Sequence, residues 1–180
     1  MKKELFQTIE IPKEIEFSLD GSTLIVKGKE GENEKTFNTI GLDFEKKVKQ
    51  IIIGSKKATK REKKLMNTIV AHIKNMIKGV QKKFEYKLKI CFSHFPITVE
   101  IKENIAIIKN FLGEKISRKT KIPEGVEVKV EKDIITITSL DKELAGQAAA
   151  NFEKATKIRM KDRRVFQDGI FITNKAGREM

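Results

Sequence analysis

Short runs of alternating apolar and polar residues, broken by turn pairs, recur along this chain and commit most of it to antiparallel β structure. The clearest run is 11–28, IPKEIEFSLDGSTLIVKG, in which Ile15, Phe17 and Leu19 alternate before Asp20-Gly21-Ser22, and Leu24 and Val26 alternate after it. Asp-Gly between alternating runs is a strong hairpin signal, and Ile11-Pro12 suits a strand entry. The pattern returns at 122–139, IPEGVEVKVEKDIITITS, with Val126, Val128 and Val130 on one side of Lys132-Asp133 and Ile135 and Ile137 on the other. Further strands are expected at 34–38, 48–53, 82–92, 97–102, 105–110 and 115–119. In 82–92, Phe84, Tyr86, Leu88 and Ile90 share one face.

Two segments break the alternation with helical spacing. In the first, Thr59 and Glu62 form a capping box, followed by apolar Leu65, Ile69, Ile73, Met76, Ile77 and Val80, with Gly79 as a stop. The second spans about 141–155, with Leu144, Ala148, Phe152 and Ala155 on one face and small residues that let it lie close on a sheet. Setting 11–28 over 122–139 aligns the hairpins at an offset of 111 residues. Setting Leu65 over Leu144 aligns the helices at 79, which leaves 32 extra residues between hairpin and helix in the first half. The reading is an α+β fold of two similar domains, 1–81 and 82–180, each an antiparallel β-sheet packed against one α-helix and related by internal duplication.

The formal net charge is +13, and it is shared: 17 basic and 11 acidic residues in 1–80, 21 and 14 in 81–180. That balance favours a polyanionic partner, because Lys and Arg displace counterions from phosphates. The single cysteine, Cys91, permits no intramolecular disulfide, which fits a reducing compartment. No signal peptide, lipidation motif or membrane-length apolar run is visible, so the expectation is a soluble cytoplasmic protein with no membrane partner.

Chemistry is sparse. His72 falls near the apolar face of the first helix and reads as a packing residue, and Cys91 and His94 lack the further ligands a metal needs. The glycine-containing stretch 28–35 matches no phosphate-binding fingerprint. The expectation is no enzyme, no cofactor, no metal and no small-molecule substrate.

Three basic clusters stand out. The first is Lys56–Lys64, within a segment from Lys46 that holds nine basic residues and one acid; the second is Lys115, Arg118, Lys119 and Lys121; the third is the stretch 157–173, KIRMKDRRVFQDGIFIT. In the last, Lys157, Arg159, Lys161, Arg163 and Arg164 form a basic half, and Val165, Phe166, Ile170 and Phe171 an apolar anchor around Asp168-Gly169, a strand–turn–strand reading. Arg118, Arg159, Arg163 and Arg164 suit bidentate phosphate contacts. Most phenylalanines fall at core positions, which leaves little to stack on single-stranded bases and favours folded nucleic acid read through phosphates and shape. The alternative is a basic module that docks acidic protein partners.

SHFPITVEIKENIAIIKNFLGEK (93–115), KIPEGVEVKVE (121–131) and DRRVFQDGIFI (162–172) resemble the archaeal and eukaryotic form of large-subunit ribosomal protein L-six, and the likeness spans essentially the whole chain. The resemblance implies two duplicated α+β domains and a non-enzymatic role. It implies binding to large-subunit rRNA near the sarcin–ricin loop, chiefly through the C-terminal domain, beside neighbouring ribosomal proteins and close to where translation factors dock. Carried over by motif, the candidate contacts are Asn110, Gly113, Glu114, Lys115 and Arg118 in the NFLGEK region, the acidic Glu114 and Asp168 serving either to orient a neighbouring Arg or Lys or to contact a base edge or 2′-hydroxyl. In RRVFQDG they are Arg163, Arg164, Gln167, Asp168 and Gly169. Lys119, Lys157, Arg159 and Lys161 join them from the basic clusters.

Overall fold

The computed structural model describes residues 3–12, 14–47 and 50–180. The chain divides into two compact units, Met1–Lys83 and Phe84–Met180. In the first unit the strands are β1 (Lys3–Glu10), β2 (Glu16–Asp20), β3 (Thr23–Gly28), β4 (Gly31–Thr36), β5 (Asp43–Lys47) and β6 (Gln50–Ala58), followed by α1 (Lys60–Gln81). They make two three-stranded antiparallel sheets, β1-β6-β5 and β2-β3-β4. The predicted 15–28 hairpin is β2–β3, closed by the Asp20↔Thr23 pair with Gly21 at φ 57°, the left-handed conformation glycine adopts freely. The predicted strand 48–53 is seen from Gln50; residues 48 and 49 lie outside the described residues.

α1 begins as its sequence dictates. Thr59 accepts from the Arg61 N–H, and the Glu62 carboxylate accepts from the Thr59 N–H at 2.8 Å and from its hydroxyl. Its inward face carries Met66, Ile69, Val70, Ile73, Met76, Ile77 and Val80, packed on Leu24, Val26, Ile51 and Ile53, all fully buried. Gly79 does not stop the helix, which continues to Gln81. Gly79 is itself buried, and the close packing here is on Gly28, where a Cβ would come within 2.8 Å of the Val80 side chain.

The second unit holds β7 (Phe84–Cys91), β8 (Thr98–Lys102), β9 (Ile105–Lys109), a single 3₁₀ turn at Phe111–Gly113, β10 (Arg118–Lys121), β11 (Val126–Glu131), β12 (Ile134–Ser139), α2 (Lys142–Ala155), β13 (Gly169–Lys175) and β14 (Arg178–Glu179). Its sheets are β8-β9-β10 and β11-β12-β7-β13-β14. The core joins Leu88, Ile108, Ile135, Ile137, Phe152 and Ile170, all fully buried. Asp141 caps α2 by accepting from the Glu143 N–H at 2.8 Å. The buried face of α2 is Ala145, Ala148, Ala149 and Phe152; Leu144, expected on that face, is 37% exposed. Only small residues fit where α2 lies against β7: a Cβ on Gly146 would stand 3.3 Å from the Tyr86 hydroxyl oxygen.

The two units are α+β and share one topology. β1-β6-β5 in the first corresponds to β7-β12-β11 in the second, and β2-β3-β4 to β8-β9-β10; each set ends in its helix. Buried Ile51 and Ile53 pair with Ile9 and Gln7, as buried Ile135 and Ile137 pair with Leu88 and Tyr86. The helix offset of 79 carries the four buried residues of α2 onto Met66, Ile69, Val70 and Ile73 of α1.

The hairpin offset of 111 is corrected. The 15–28 hairpin corresponds to β8–β9, not to β11–β12; its offset becomes 82, and the 32 extra residues shrink to three. Every tight hairpin with one buried face shows the same alternation, so local pattern cannot tell which hairpin of a unit is which. Among the described residues, β13 and β14 have no counterpart in the first unit; they extend the second unit's sheet beyond β7.

Candidate nucleic-acid interface

The NFLGEK segment turns through three residues in the left-handed region: Asn110 (φ 58°), Leu112 (φ 51°) and Gly113 (φ 75°). Non-glycine residues rarely hold this conformation, so neighbours must fix it. The Asn110 side-chain amide donates to the Pro96 carbonyl at 3.1 Å, and Phe111 is buried beneath the turn. The Phe95 ring lies against Gly113, where a Cβ would stand 3.2 Å from it, so glycine there serves close approach as well as φ.

Arg118, at the start of β10, reaches back and locks the segment. Its Nε and Nη2 donate to the two Glu114 carboxylate oxygens at 2.8 and 2.6 Å, its Nη1 donates to the Ala155 carbonyl at 2.8 Å and the Lys157 carbonyl at 3.3 Å, and its plane lies 4.2 Å above the Phe111 ring. These bonds hold the Glu114 carboxyl below the usual glutamate range. Ala155 ends α2 and Lys157 opens the C-terminal basic stretch. One guanidinium therefore joins both predicted contact segments. Lys115 and Lys119 flank it, exposed.

The C-terminal stretch is a loop rather than strand–turn–strand. It leaves the core at Thr156 and re-enters at Ile170, and these two residues are tied: the Ile170 N–H donates to Thr156 Oγ1 at 3.0 Å. Thr156 is buried, and its hydroxyl also contacts the Phe152 carbonyl at 3.3 Å. Between them the backbone makes one turn around Asp162, whose carbonyl accepts from Val165 and Phe166 and whose carboxylate accepts from the Arg164 N–H at 2.9 Å. A compact loop with adjoining ends and its own side-chain packing displays residues on a fixed base.

The loop sorts its residues. Lys157, Arg159, Lys161, Arg163, Arg164 and Gln167 are exposed. Arg164 is paired with Asp162 at 2.8 Å, which holds that carboxyl below its usual range and raises the guanidinium. Lys161 Nζ sits 4.6 Å from the Phe166 ring centroid, and the Gln167 amide donates to the Arg164 carbonyl at 3.2 Å. Asp168 and Gly169 face inward. Asp168 is 4% exposed and accepts from the Ser93 N–H and hydroxyl, both at 3.0 Å; Gly169 begins β13 opposite Cys91.

The expected apolar anchor is corrected: Val165, Phe166 and Phe171 are 74%, 36% and 42% exposed, and Ile170 alone is buried. On a strand, successive side chains point to opposite faces, so Ile170 in the core sends Phe171 out. Thr156, which fastens the loop, carries no motif that would have marked it, and Ser93 opens the 93–115 phrase with nothing in the spacing to mark it as an anchor. The remaining basic cluster, Lys56–Lys64, is on the first unit, where Lys60, Lys63 and Lys64 line the exposed side of α1. His72 packs beside Phe37, with ring centroids 6.2 Å apart, and Lys35 Nζ lies 3.3 Å from its Nδ1. The His94 ring meets Phe95 edge-on at 4.8 Å.

Two α+β units share a plan of six strands and one helix, and the second adds β13, β14 and a pinned basic loop, which defines a duplicated α+β protein with one basic, loop-bearing half. The family model described as Ribosomal protein L6 matches residues 11–83 and 95–169, two segments that start at the same place in each unit, just ahead of β2 and β8. The chain is 44% identical over 172 residues to the large ribosomal subunit protein uL6 of Sulfurisphaera tokodaii, covering 95% of this chain and 92% of that one. It is 41% identical over 172 residues to the protein of that name from Methanococcus vannielii (96% and 94%), and 40% over 169 residues to that from Methanobrevibacter smithii (94% and 95%). The chain belongs to the ribosomal protein L6 family. It is a ribosomal component, with rRNA and ribosomal proteins as partners. No helix among the described residues is long and apolar enough to cross a membrane.

Proposed function

We propose that this protein is a structural constituent of the large ribosomal subunit, that its second unit is the main RNA-binding part, and that it grips folded rRNA near the sarcin–ricin loop, close to where translation factors dock. The Arg118 clamp carries this reading, because it makes the NFLGEK segment and the C-terminal loop one continuous basic surface. Within that surface Lys115, Lys119, Lys157, Arg159, Lys161 and Arg163 present cations to phosphate, and Arg164 and Gln167 lie beside them. Asn110, Gly113 and Arg118 shape the surface; Asp168 and Gly169 fix the loop to β7. The role is binding without turnover.

Filter binding to large-subunit rRNA across a salt series tests the proposal. Binding that weakens steeply with salt, and that paired RNA of unrelated sequence matches only weakly, is the expected result. Equal affinity for both RNAs, or an association with large subunits that survives ribonuclease, would overturn it.

A further inference from the structure

Phe92, Phe166 and Phe171 are 41%, 36% and 42% exposed, and all three line one groove of ≈ 1170 Å³ between the end of β7, the C-terminal turn of α2 and the C-terminal loop. Single exposed phenylalanines are ordinary; three lining one groove offer a ligand a larger apolar surface to cover. Drug-sized ligands occupy pockets of about 300–1,000 Å³, so the groove has room for a nucleotide.

The rings are placed by the fold. Phe171 points out of β13 because Ile170 points in, and its ring lies along the strand over Gly169, where a Cβ would stand 3.0 Å from the ring edge. Any larger residue at Gly169 would lift the ring off the strand. Phe92 follows Cys91, which pairs with Gly169, so it stands at the adjoining end of β7. Phe166 closes the groove from the loop side, with Lys161 over its ring.

Charge narrows the ligand. Lys154, Lys157, Arg159 and Arg163 also line the groove, and none of the four is held in a salt bridge with any of the described residues. Its acids are Glu153 and Asp168, and Asp168 is turned to Ser93. An apolar peptide would leave the cations unmatched, and an acidic one would leave the rings uncovered. A nucleotide carries both a flat π surface and a phosphate, and aromatic side chains beside Lys and Arg form the usual platform for unpaired bases.

We infer that this groove takes an unpaired nucleotide of RNA, its base stacked on Phe171 and Phe92 and its phosphate among Lys157, Arg159 and Arg163. This rests on the RNA-binding reading above and refines it. The outer surface grips paired RNA through phosphates, and the groove holds a base that has left the stack.

The test uses the full chain with three RNAs: a short oligoadenylate, a fully paired duplex of unrelated sequence, and large-subunit rRNA. Phe171→Leu and Phe92→Leu should lower oligoadenylate affinity by about fivefold or more, while duplex affinity and the salt slope stay unchanged. Phe171→Tyr, which keeps the ring, should restore wild-type affinity; melting curves for each variant confirm folding. Leucine variants that bind oligoadenylate like wild type, or that lose both RNAs equally, would overturn the inference. Wild-type binding to rRNA without binding to oligoadenylate would sink the groove alone and leave the RNA-binding reading standing. Binding to none of the three would remove both.

Discussion

Arg118 and Glu114 face each other through two parallel N–H···O bonds, 2.8 and 2.6 Å, four residues apart across the NFLGEK turn. The other edge of the guanidinium is spent on the Ala155 and Lys157 carbonyls. An arginine with its donors used inside the protein acts on RNA by positioning the surface around it. Arg118→Ala should lower the unfolding free energy by about 2 kcal/mol, because charge-assisted bonds are lost and two carbonyls lose a donor. Arg118→Lys should recover little, since an ammonium cannot reproduce the fork. Urea midpoints of the three proteins check both statements.

The same pair gives a pH signature. The Glu114 carboxyl is lowered in the folded state, first by the hydrogen bonds from Arg118. A carboxyl lowered on folding stabilises the protein fully above its unfolded pKa and loses that contribution as pH falls through the folded value. Stability against acid should therefore drop more steeply below about pH 4.3, the ordinary glutamate value, in the wild type than in Glu114→Gln. The two curves should converge as pH falls further. Urea midpoints through the acid range would show it, and parallel curves would mean that the pair adds nothing on folding.

The loop offers a contrast between arginines. Arg159 and Arg163 are exposed and form no salt bridge among the described residues, whereas Arg164 is tied to Asp162. Replacing Arg159 and Arg163 together by alanine should reduce the salt slope of rRNA binding by about two, roughly one per phosphate contact, with the melting temperature unchanged. Arg164→Ala should change the slope less and loosen the turn around Asp162. Equal slopes for the double variant and wild type would show those two side chains to be solvated.

What the sequence disclosed followed from how local each signal was. The capping box at Thr59 and Glu62, the two hairpins and the two helices rest on residues a few positions apart, and the chain forms them where they are written. Alternation does not mark β1 or β5: LFQTI becomes a strand by pairing with β6, a partner distant in sequence, and DFEKK, with one apolar residue, by pairing with the β6 that follows it. Alternation identifies hairpins but not their place in the sheet, so 11–28 matches 122–139 by pattern although its counterpart is β8–β9. The basic clusters were visible as charge, but the clamp joining two of them was not. Arg118, Ala155 and Lys157 meet only after the second unit has folded. The exposed rings were hidden for a related reason, since an alternating run does not say which of Ile170 and Phe171 faces the core.

Phe111 and Phe166 separate packing from display. Both stand in the family-like phrases, and both lie under a cation, Arg118 at 4.2 Å and Lys161 at 4.6 Å. Phe111 is 1% exposed and belongs to the core of the second unit; Phe166 is 36% exposed and belongs to the loop. Removing a buried ring takes away its transfer free energy and leaves a cavity, so Phe111→Ala should cost about 3–5 kcal/mol. It should also release the left-handed turn above it, so rRNA binding should weaken at any salt. Phe166→Ala vacates no closed space and should cost under about 1 kcal/mol, in the range of surface substitutions. Its effect should appear in RNA binding while the melting temperature holds. Chemical denaturation and filter binding on the same two proteins decide the matter. A Phe166→Ala loss as large as that of Phe111→Ala would mean that the loop is part of the folding core rather than a surface displayed on it.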